Sequence, residues 1–363
     1  MTESDSSSFF ETICRLCVEY SASDILLHED QPAVLRIRGD LIPIEGSIAS
    51  AADFLWLRKA CKADGDVLDF DGSYVSAAGD RFRINILHQM GHHASVMRRI
   101  RSDIPTMESL GLPINILQQW LQSSHGIILI TGRTGSGKST TLASCLNWLN
   151  QTQRKHIITI EDPVEYVFKG ERSVFTQREV GIDTPSFAQG LKRSLRQCPD
   201  IIMVGEIRDA ETAMTALQAA ETGHVVLSTV HAASCGEVVE RIQNVFPSDQ
   251  RQGLLRIFSQ CLIGSMSQML IPAIDGGVAL ACEYFTNHGL APKLIAEGKI
   301  AELTDFIQRS GEENGKRFLE SLAELCKQGR IDQETALKFA PSPQELQRIL
   351  LGINSGGGAS RRT

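Results

Sequence analysis

Apolar positions recur at helical spacing from Phe9 to Glu19, where Phe10, Ile13, Cys14, Cys17 and Val18 share one face, so a helix is expected there. After Ala22-Ser23-Asp24 the period shortens. Ile25–His28, Ala33–Arg38 and Leu41–Ile44 read as strands, with a turn at Gly39-Asp40, and Ala51–Ala63 returns to helical spacing. Tyr74–Ala78 and Arg81–Leu87 alternate around Ala78-Gly79-Asp80-Arg81, which predicts a hairpin, and Ala94–Ile100 predicts a further strand. Helix, strands and hairpins over residues 1–101 predict a small α+β domain. Ser102–Pro113 holds two prolines and reads as a linker.

Beyond it the pattern changes class. Ile114–Gln122 is helical. Four apolar runs then alternate with helices: Ile127–Thr131, Ile157–Ile160, Ile201–Val204 and Val225–Thr229. Buried runs separated by helices predict a mostly parallel α/β sheet. Glu237–Val245 and Ser248–Leu270 read as helices, Val278–Phe285 as a strand, and Lys293–Leu351 as helical throughout. These segments form one domain over residues 114–353, with a helical C-terminal region from about residue 290. Residues 354–363 are a glycine- and serine-rich tail expected to be flexible. No internal repeat is visible.

The first run of this sheet leads into Gly132-Arg133-Thr134-Gly135-Ser136-Gly137-Lys138-Ser139, and a helix follows from Thr140 to Asn150. This is G-x-x-x-x-G-K-[ST] between a strand and a helix N-terminus, where the mechanism of phosphate binding needs it. Gly132, Gly135 and Gly137 let backbone N–H groups converge on an anion without a Cβ in the way. Lys138 is expected to reach the β/γ-phosphates and the Ser139 hydroxyl to ligate Mg²⁺. The chain is therefore expected to bind a nucleoside triphosphate with Mg²⁺.

Composition narrows the rest. At 363 residues with 42% hydrophobic and 22% charged residues, the chain suits a two-domain globular protein. A net charge of −7 gives no support to nucleic-acid binding. No apolar run reaches the length of a membrane span, and the acidic, polar start MTESDSSSFF does not read as a signal peptide, so a cytoplasmic protein is expected. Nine scattered cysteines do not suit a full disulfide framework. The lone pair Cys14/Cys17 lies on the buried face of the first helix, which favours packing over metal or redox chemistry. His88, His92 and His93 fall in an expected strand-to-strand loop and read as solvated histidines.

Hydrolysis needs a group for the attacking water and charge for the transferring phosphoryl. In an open parallel sheet such groups lie at the carboxyl ends of neighbouring strands. His156–Ile160 runs into Glu161-Asp162-Pro163-Val164-Glu165, Ile201–Gly205 into Glu206-Ile207-Arg208-Asp209, and Val225–Val230 is bracketed by His224 and His231. Each cluster alone is a weak signal; three behind one phosphate loop form a stronger one.

These segments carry a resemblance. GRTGSGKSTT matches a Walker A box, TIEDPVEY an Asp box, PDIIMVGEIRD a Walker B box and AETGHVVLSTVHAAS a His box. With their spacing, and from Ala22-Ser23-Asp24 to about Leu351, the chain resembles the secretion ATPase superfamily of P-loop NTPases, in particular the type IV pilus retraction motors of the PilT/PilU kind. The resemblance implies a PAS-like N-terminal domain, a RecA-like ATPase domain and assembly as a homo-hexameric ring that powers pilin disassembly and twitching motility. It implies ATP as the nucleotide, Glu165 as general base, Glu206 as the acidic group holding Mg²⁺ through water, and His231 near the γ-phosphate with His224 nearby; which of Glu165 and Glu206 deprotonates water stays open. It implies that Arg83 (in RFRIN) and Arg98 (in VMRRI) reach a nucleotide across a subunit interface, with Lys192 and Arg196 as basic positions on the nucleotide domain. Thr134, Ser136 and Thr140 complete its nucleotide-binding set. Implied partners are an inner-membrane platform protein at the cytoplasmic face and a paralogous motor ATPase.

Departures bear on the subtype. Leu290–Glu297 keeps only part of the AIRNLIRE-like segment of retraction motors, and Asn314–Glu320 has replaced a GMQTLD-like stretch. The stretch from Leu322 to Leu350 is closer to PilU-like accessory motors. A four-cysteine insertion found in many extension and type II secretion ATPases is missing, which favours retraction. The other readings are the ATPase of another secretion or pilus-like system, an accessory subunit with weak turnover, and a nucleic-acid translocase, the last disfavoured by charge.

Overall fold

The computed structural model describes residues 3–37, 39–61, 68–100, 103–309 and 315–352. Expectations that touch Arg38, Ala63, Arg101, Ser102, Asn314 and the tail 354–363 lie outside the described residues. The chain divides into two units, residues 1–103 with 165–167, and residues 104–164 with 168–363.

Alternating burial builds the first unit. Its strands are β1 (Asp24–His28), β2 (Pro32–Ile37), β3 (Asp40–Ile48), β4 (Phe70–Val75), β5 (Arg81–Gln89) and β6 (His92–Ile100). They form one antiparallel sheet in the order β3-β2-β1-β6-β5-β4. Helices α1 (Glu3–Glu19) and α2 (Ala51–Ala60) bury Phe10, Ile13, Phe54 and Leu57 in one core with the inward strand residues Ile25, Leu27, Leu35, Ile84 and Met97. Cys14 and Cys17 are buried in the same core, and burial pushes the Cys17 thiol up to about 11. His88, His92 and His93 are not in a loop. They pair across β5 and β6, whose reversal needs only Met90 and Gly91, both at positive φ.

The second unit begins with α3 (Ile114–Leu121), β7 (Gly126–Thr131), α4 (Lys138–Thr152), β8 (His156–Glu161) and β9 (Val174–Glu179). It continues with α5 (Phe187–Ser194), β10 (Ile201–Val204), α6 (Ala210–Glu221), β11 (Val225–Val230), α7 (Cys235–Asn244) and α8 (Arg251–Cys261). After these come β12 (Leu262–Pro272), β13 (Val278–Thr286), α9 (Ala291–Ala296), α10 (Ile300–Arg309), β14 (Gly315–Lys316), α11 (Phe318–Lys327), α12 (Gln333–Phe339) and α13 (Pro343–Leu350). The sheet order is β14-β13-β12-β7-β11-β10-β8-β9. The six strands from β12 to β9 are parallel, and β13 and β14 add antiparallel. The fold is α/β. Strands β7, β10 and β11 are buried along their whole length, as central strands covered on both faces must be.

Three elements depart from the sequence reading. The helix expected over 248–270 ends at Cys261, and Leu262–Pro272 is a strand beside β7. Leu262, Ile263, Met266, Met269 and Leu270 recur at helical spacing, but their place between two other strands overrides the period. Strand β9 has only two apolar residues in VFTQRE and gave no signal, yet it forms the sheet edge. Within Lys293–Leu351, Gly315–Lys316 pairs with Tyr284–Phe285 as a short strand.

Candidate functional site

Strand β7 delivers the chain to a loop built on positive φ angles, 144° at Gly132, 78° at Gly135 and 86° at Gly137. These are left-handed or extended-positive conformations that only glycine adopts cheaply. Gly132 also has no room for a side chain: a Cβ would lie 2.5 Å from the Gln268 carbonyl oxygen. Gly137 is the N-cap of α4, so the loop's N–H groups and the helix N-terminus face one space. Lys138 lies back over the loop and donates to the carbonyls of Gly132 (2.9 Å) and Arg133 (3.0 Å). Thr134 and Gly135 are exposed, Ser136 is buried, and Ser139 and Thr140 are half-buried on the first turn of α4.

Parallel register sets the neighbours. Thr131 at the end of β7 pairs with Val230 of β11, and Ser228 of β11 pairs with Val204 of β10. Hydroxyls tie the last two ends together: Ser228 Oγ donates to the Val204 carbonyl and Thr229 Oγ1 to the Gly205 carbonyl, each at 2.7 Å. The turn after β10 thus aims Glu206 at His231, whose Nε2 is 3.1 Å from Glu206 Oε1. Arg208 Nε donates to the other oxygen at 2.6 Å. The Glu206 side chain is only 14% exposed. In the same segment Ile207 enters the core and Asp209 caps α6 by accepting from Thr212 N–H at 2.7 Å.

The Asp-box carboxylates separate. Glu161 is buried at the end of β8 and accepts from Thr159 Oγ1 at 2.6 Å. Glu165 is exposed and is grouped with the first unit.

Two expected site residues stand elsewhere. His224 precedes β11 and His231 follows it, so the strand separates them by about 23 Å at 3.3 Å per residue. His224 Nδ1 instead lies 3.0 Å from the Ala219 carbonyl. Arg196 is exposed in the turn that leads into the start of β10, the same far edge, and Lys192 is exposed on α5 just before it. Neither His224 nor Arg196 joins the loop, Glu206 and His231 within this unit. The cause is topological: in a parallel sheet the two ends of a strand open on opposite edges.

In the first unit, Arg83 and Arg98 are direct partners across β5 and β6 and share one face. Arg98 Nε donates to Asp24 Oδ1 at 2.8 Å, and Arg36 Nε lies 3.5 Å from Oδ2 of the same carboxylate. Arg36, Asp24, Arg98 and Arg83 are therefore a row across four adjacent strands. Arg83 is 3.9 Å from Asp71.

Sequence reasoning missed three features of the second unit. A cavity of about 760 Å³ opens beside the start of α4, lined by Leu110, Leu112, Thr140, Thr141, Leu280 and Arg330. A second, of about 680 Å³, lies on the other side of the loop and reaches Glu237, Glu283 and Phe318. Glu283 accepts from the Cys235 N–H at 2.7 Å, and burial raises its pKa above the usual carboxylate range. Gln268 lines both cavities and donates to the Ser136 carbonyl at 2.6 Å. A strand reading of 262–272 would have placed Gln268 beside the loop.

A strand–glycine loop–helix with a lysine at the helix start, and a carboxylate–histidine pair at neighbouring strand ends, suits a nucleotide-handling site. The family model for type II/IV secretion system proteins matches residues 70–304. The chain belongs to this family. It is 36% identical over 353 residues to the type IV pilus ATPase PilU of Pseudomonas aeruginosa, covering 95% of this chain and 92% of the relative. It is 37% identical over 329 residues to the type IV pilus retraction ATPase PilT of the same organism, covering 89% and 95%. A crystal structure of the pilus retraction motor PilT with bound ADP matches with a TM-score of 0.84 at 38% identity, covering 93% of this chain and 98% of that one. This member of the secretion family is thus a homologue of pilus motor ATPases over most of its length. Among its described residues no helix is long and apolar enough to cross a membrane.

Proposed function

We propose that this chain is a Mg²⁺-dependent ATPase that drives type IV pilus retraction as a homo-hexameric ring. The observation that carries the reading is the octet Gly132–Ser139 between β7 and α4, with Glu206 and His231 in contact at the ends of the next strands. Backbone N–H groups from Gly132 to Gly137 cradle the phosphates and Lys138 holds the β/γ oxygens. The cavity beside Thr140 and Thr141 has room for the nucleoside.

The donor set fits a hard cation: the Ser139 hydroxyl and the Glu206 carboxylate are oxygen ligands, the second acting through water. Mg²⁺ held there would neutralise phosphate charge as the γ-phosphoryl is transferred. Glu206 and Glu165 are the two candidates to orient the attacking water and take its proton as the γ-phosphorus–oxygen bond to ADP breaks. His231, in contact with Glu206, is read as the histidine near the γ-phosphate.

The first unit is read as a PAS-like domain whose Arg83 and Arg98 reach the nucleotide of a neighbouring subunit. The ring acts at the cytoplasmic face of the inner membrane on a pilus platform protein. Retraction is favoured over extension by the name of the PilT relative and by the missing four-cysteine insertion.

Phosphate release by the purified chain with ATP and Mg²⁺ tests the chemistry. Lys138→Ala is expected to abolish productive binding, because the cation at the start of α4 is lost. A deletion strain tests the direction: excess surface pili without twitching is the retraction outcome, and bald cells would overturn it.

A further inference from the structure

Strand β12 outlasts its neighbour. Its last residue in register with β7 is Ser267, opposite Thr131, and from Gln268 onward it runs on beneath the phosphate loop. The loop rests on this extension. A Cβ at Gly132 would strike Ser136 Oγ and the Gln268 backbone carbonyl, and Gln268 Nε2 lies 3.3 Å from where a Cβ at Gly137 would stand. Nε2 donates to the Ser136 carbonyl at 2.6 Å, and Ser136 N–H closes the loop on the Arg133 carbonyl at 3.2 Å. Gln268 thus borders the first glycine through its backbone carbonyl, and the middle and last glycine of the loop through its side-chain amide.

The contact is chemically one-sided. Gln268 is 3% exposed, and its Oε1 is buried without a hydrogen-bond partner among the described residues. Thr131 Oγ1 and Ser136 Oγ share that condition at the same place. A buried unpaired amide oxygen costs stability, and an apolar side chain of the same shape would avoid the cost. What an apolar side chain cannot do is bind the Ser136 carbonyl. Turning that carbonyl down, away from the phosphate space, leaves the loop's N–H groups as the polar lining above.

We propose that Gln268 is a positioning residue for ATP binding, whose amide donor holds the Ser136 carbonyl away from the phosphates. The inference rests on the proposed reading of Gly132–Ser139 as the ATP phosphate site. It acts through the loop rather than on the substrate, so its loss falls on nucleotide affinity, and its signature is dependence on a donor proton.

Binding of a fluorescent ATP analogue with Mg²⁺ to the full chain, between about pH 5.5 and pH 8, reads this directly. Gln268→Met keeps size without a donor and is expected to weaken binding about tenfold or more at every pH. Gln268→Glu is expected to bind as poorly at pH 8, where the carboxylate cannot donate. It should recover to within about threefold of wild type near pH 5.5, where the protonated carboxyl can donate to Ser136 O. Wild-type affinity in both variants, or equal loss at all pH values, overturns the proposal. If Gln268→Glu does not fold, Gln268→Asn decides: its amide stops short of Ser136 O, so it should fold and bind weakly. Normal binding, or failure to fold, would make Gln268 a packing residue only. Lys138→Ala separates the two claims. Wild-type protein that binds no nucleotide sinks the phosphate-site reading, whereas binding that needs Lys138 but ignores Gln268 sinks this inference alone.

Discussion

Glu206 is held from two sides, by Arg208 at 2.6 Å and His231 at 3.1 Å. Replacing it by glutamine keeps its shape and removes the charge. Glu206→Gln is expected to bind ATP within about threefold of wild type and to lower kcat by about 10²-fold, read by nucleotide binding and phosphate release. If Glu206→Gln and Glu165→Gln both turn over like wild type, the assignment of the site fails. Glu283 obeys a different rule. Burial raises its carboxyl pKa in the folded state above the unfolded value, so the folded chain holds the proton more tightly. Its contribution is full below the unfolded carboxyl pKa and is lost as pH rises through the folded one. Glu283→Gln keeps an acceptor for the Cys235 N–H and removes this loss. Its Tm is expected to exceed wild type at pH 8, by about 2–4 °C for each kcal/mol recovered, and to match it near pH 4. A lower Tm at pH 8 would show that the charge stabilises the start of α7.

Among the elements, β12 connects the packing to the chemistry. At one end Gly264 lets Trp120 of α3 lie against the strand: a Cβ there would run into the indole ring. The indole N–H is fixed by the Thr286 hydroxyl of β13 at 3.0 Å, so the ring cannot swing aside without losing that bond. Gly264→Ala is expected to cost about 1–3 kcal/mol by overpacking. Denaturant midpoints followed by Trp fluorescence measure it, and ATP affinity at the other end of the strand should stay unchanged. In the first unit the row Arg36–Asp24–Arg98–Arg83 makes Asp24, with a side chain only 6% exposed, the anchor of three strands. Asp24→Asn is expected to lower stability by about 1–2 kcal/mol, because a charge-assisted hydrogen bond becomes a neutral one while both arginines can still reach water.

At the scale of the whole molecule, the proposed ring places the Arg83 and Arg98 pair on a neighbour's phosphate. Mass measurement at micromolar protein with ATP and Mg²⁺ is expected to show hexamers; monomers alone would count against the ring. Arg83→Ala or Arg98→Ala is expected to lower kcat about tenfold or more with a smaller change in affinity, and the double variant to be less than additive if both act on one phosphate. Subunits carrying Arg83→Ala mixed with subunits carrying Lys138→Ala should regain some activity, since intact loops then meet intact arginines. No recovery in rings shown to contain both kinds of subunit would argue against action in trans, or mean that every site must fire for any to turn over.

Local chemistry was legible along the chain. The octet Gly132–Ser139 needs glycines where φ is positive and a lysine at a helix start, and the α/β character of the second unit follows from short apolar runs alternating with helices. Whether a residue stands at the start or the end of a strand is equally local, so His224 and His231 could have been separated by counting. Other features had no local signature. The apolar spacing of Leu262–Leu270 suits a helix as well as a strand, and only its place beside β7 made it a strand, bringing Gln268 under the loop. Strand β9 exists because β8 offers it an edge, not because VFTQRE is apolar. Glu206 and His231 are 25 positions apart, and what joins them is the parallel register of β10 and β11. Conformational preference and turn chemistry are properties of a few consecutive residues. Burial, cross-strand partners and the wall behind a loop are properties of neighbours that the chain acquires only by folding.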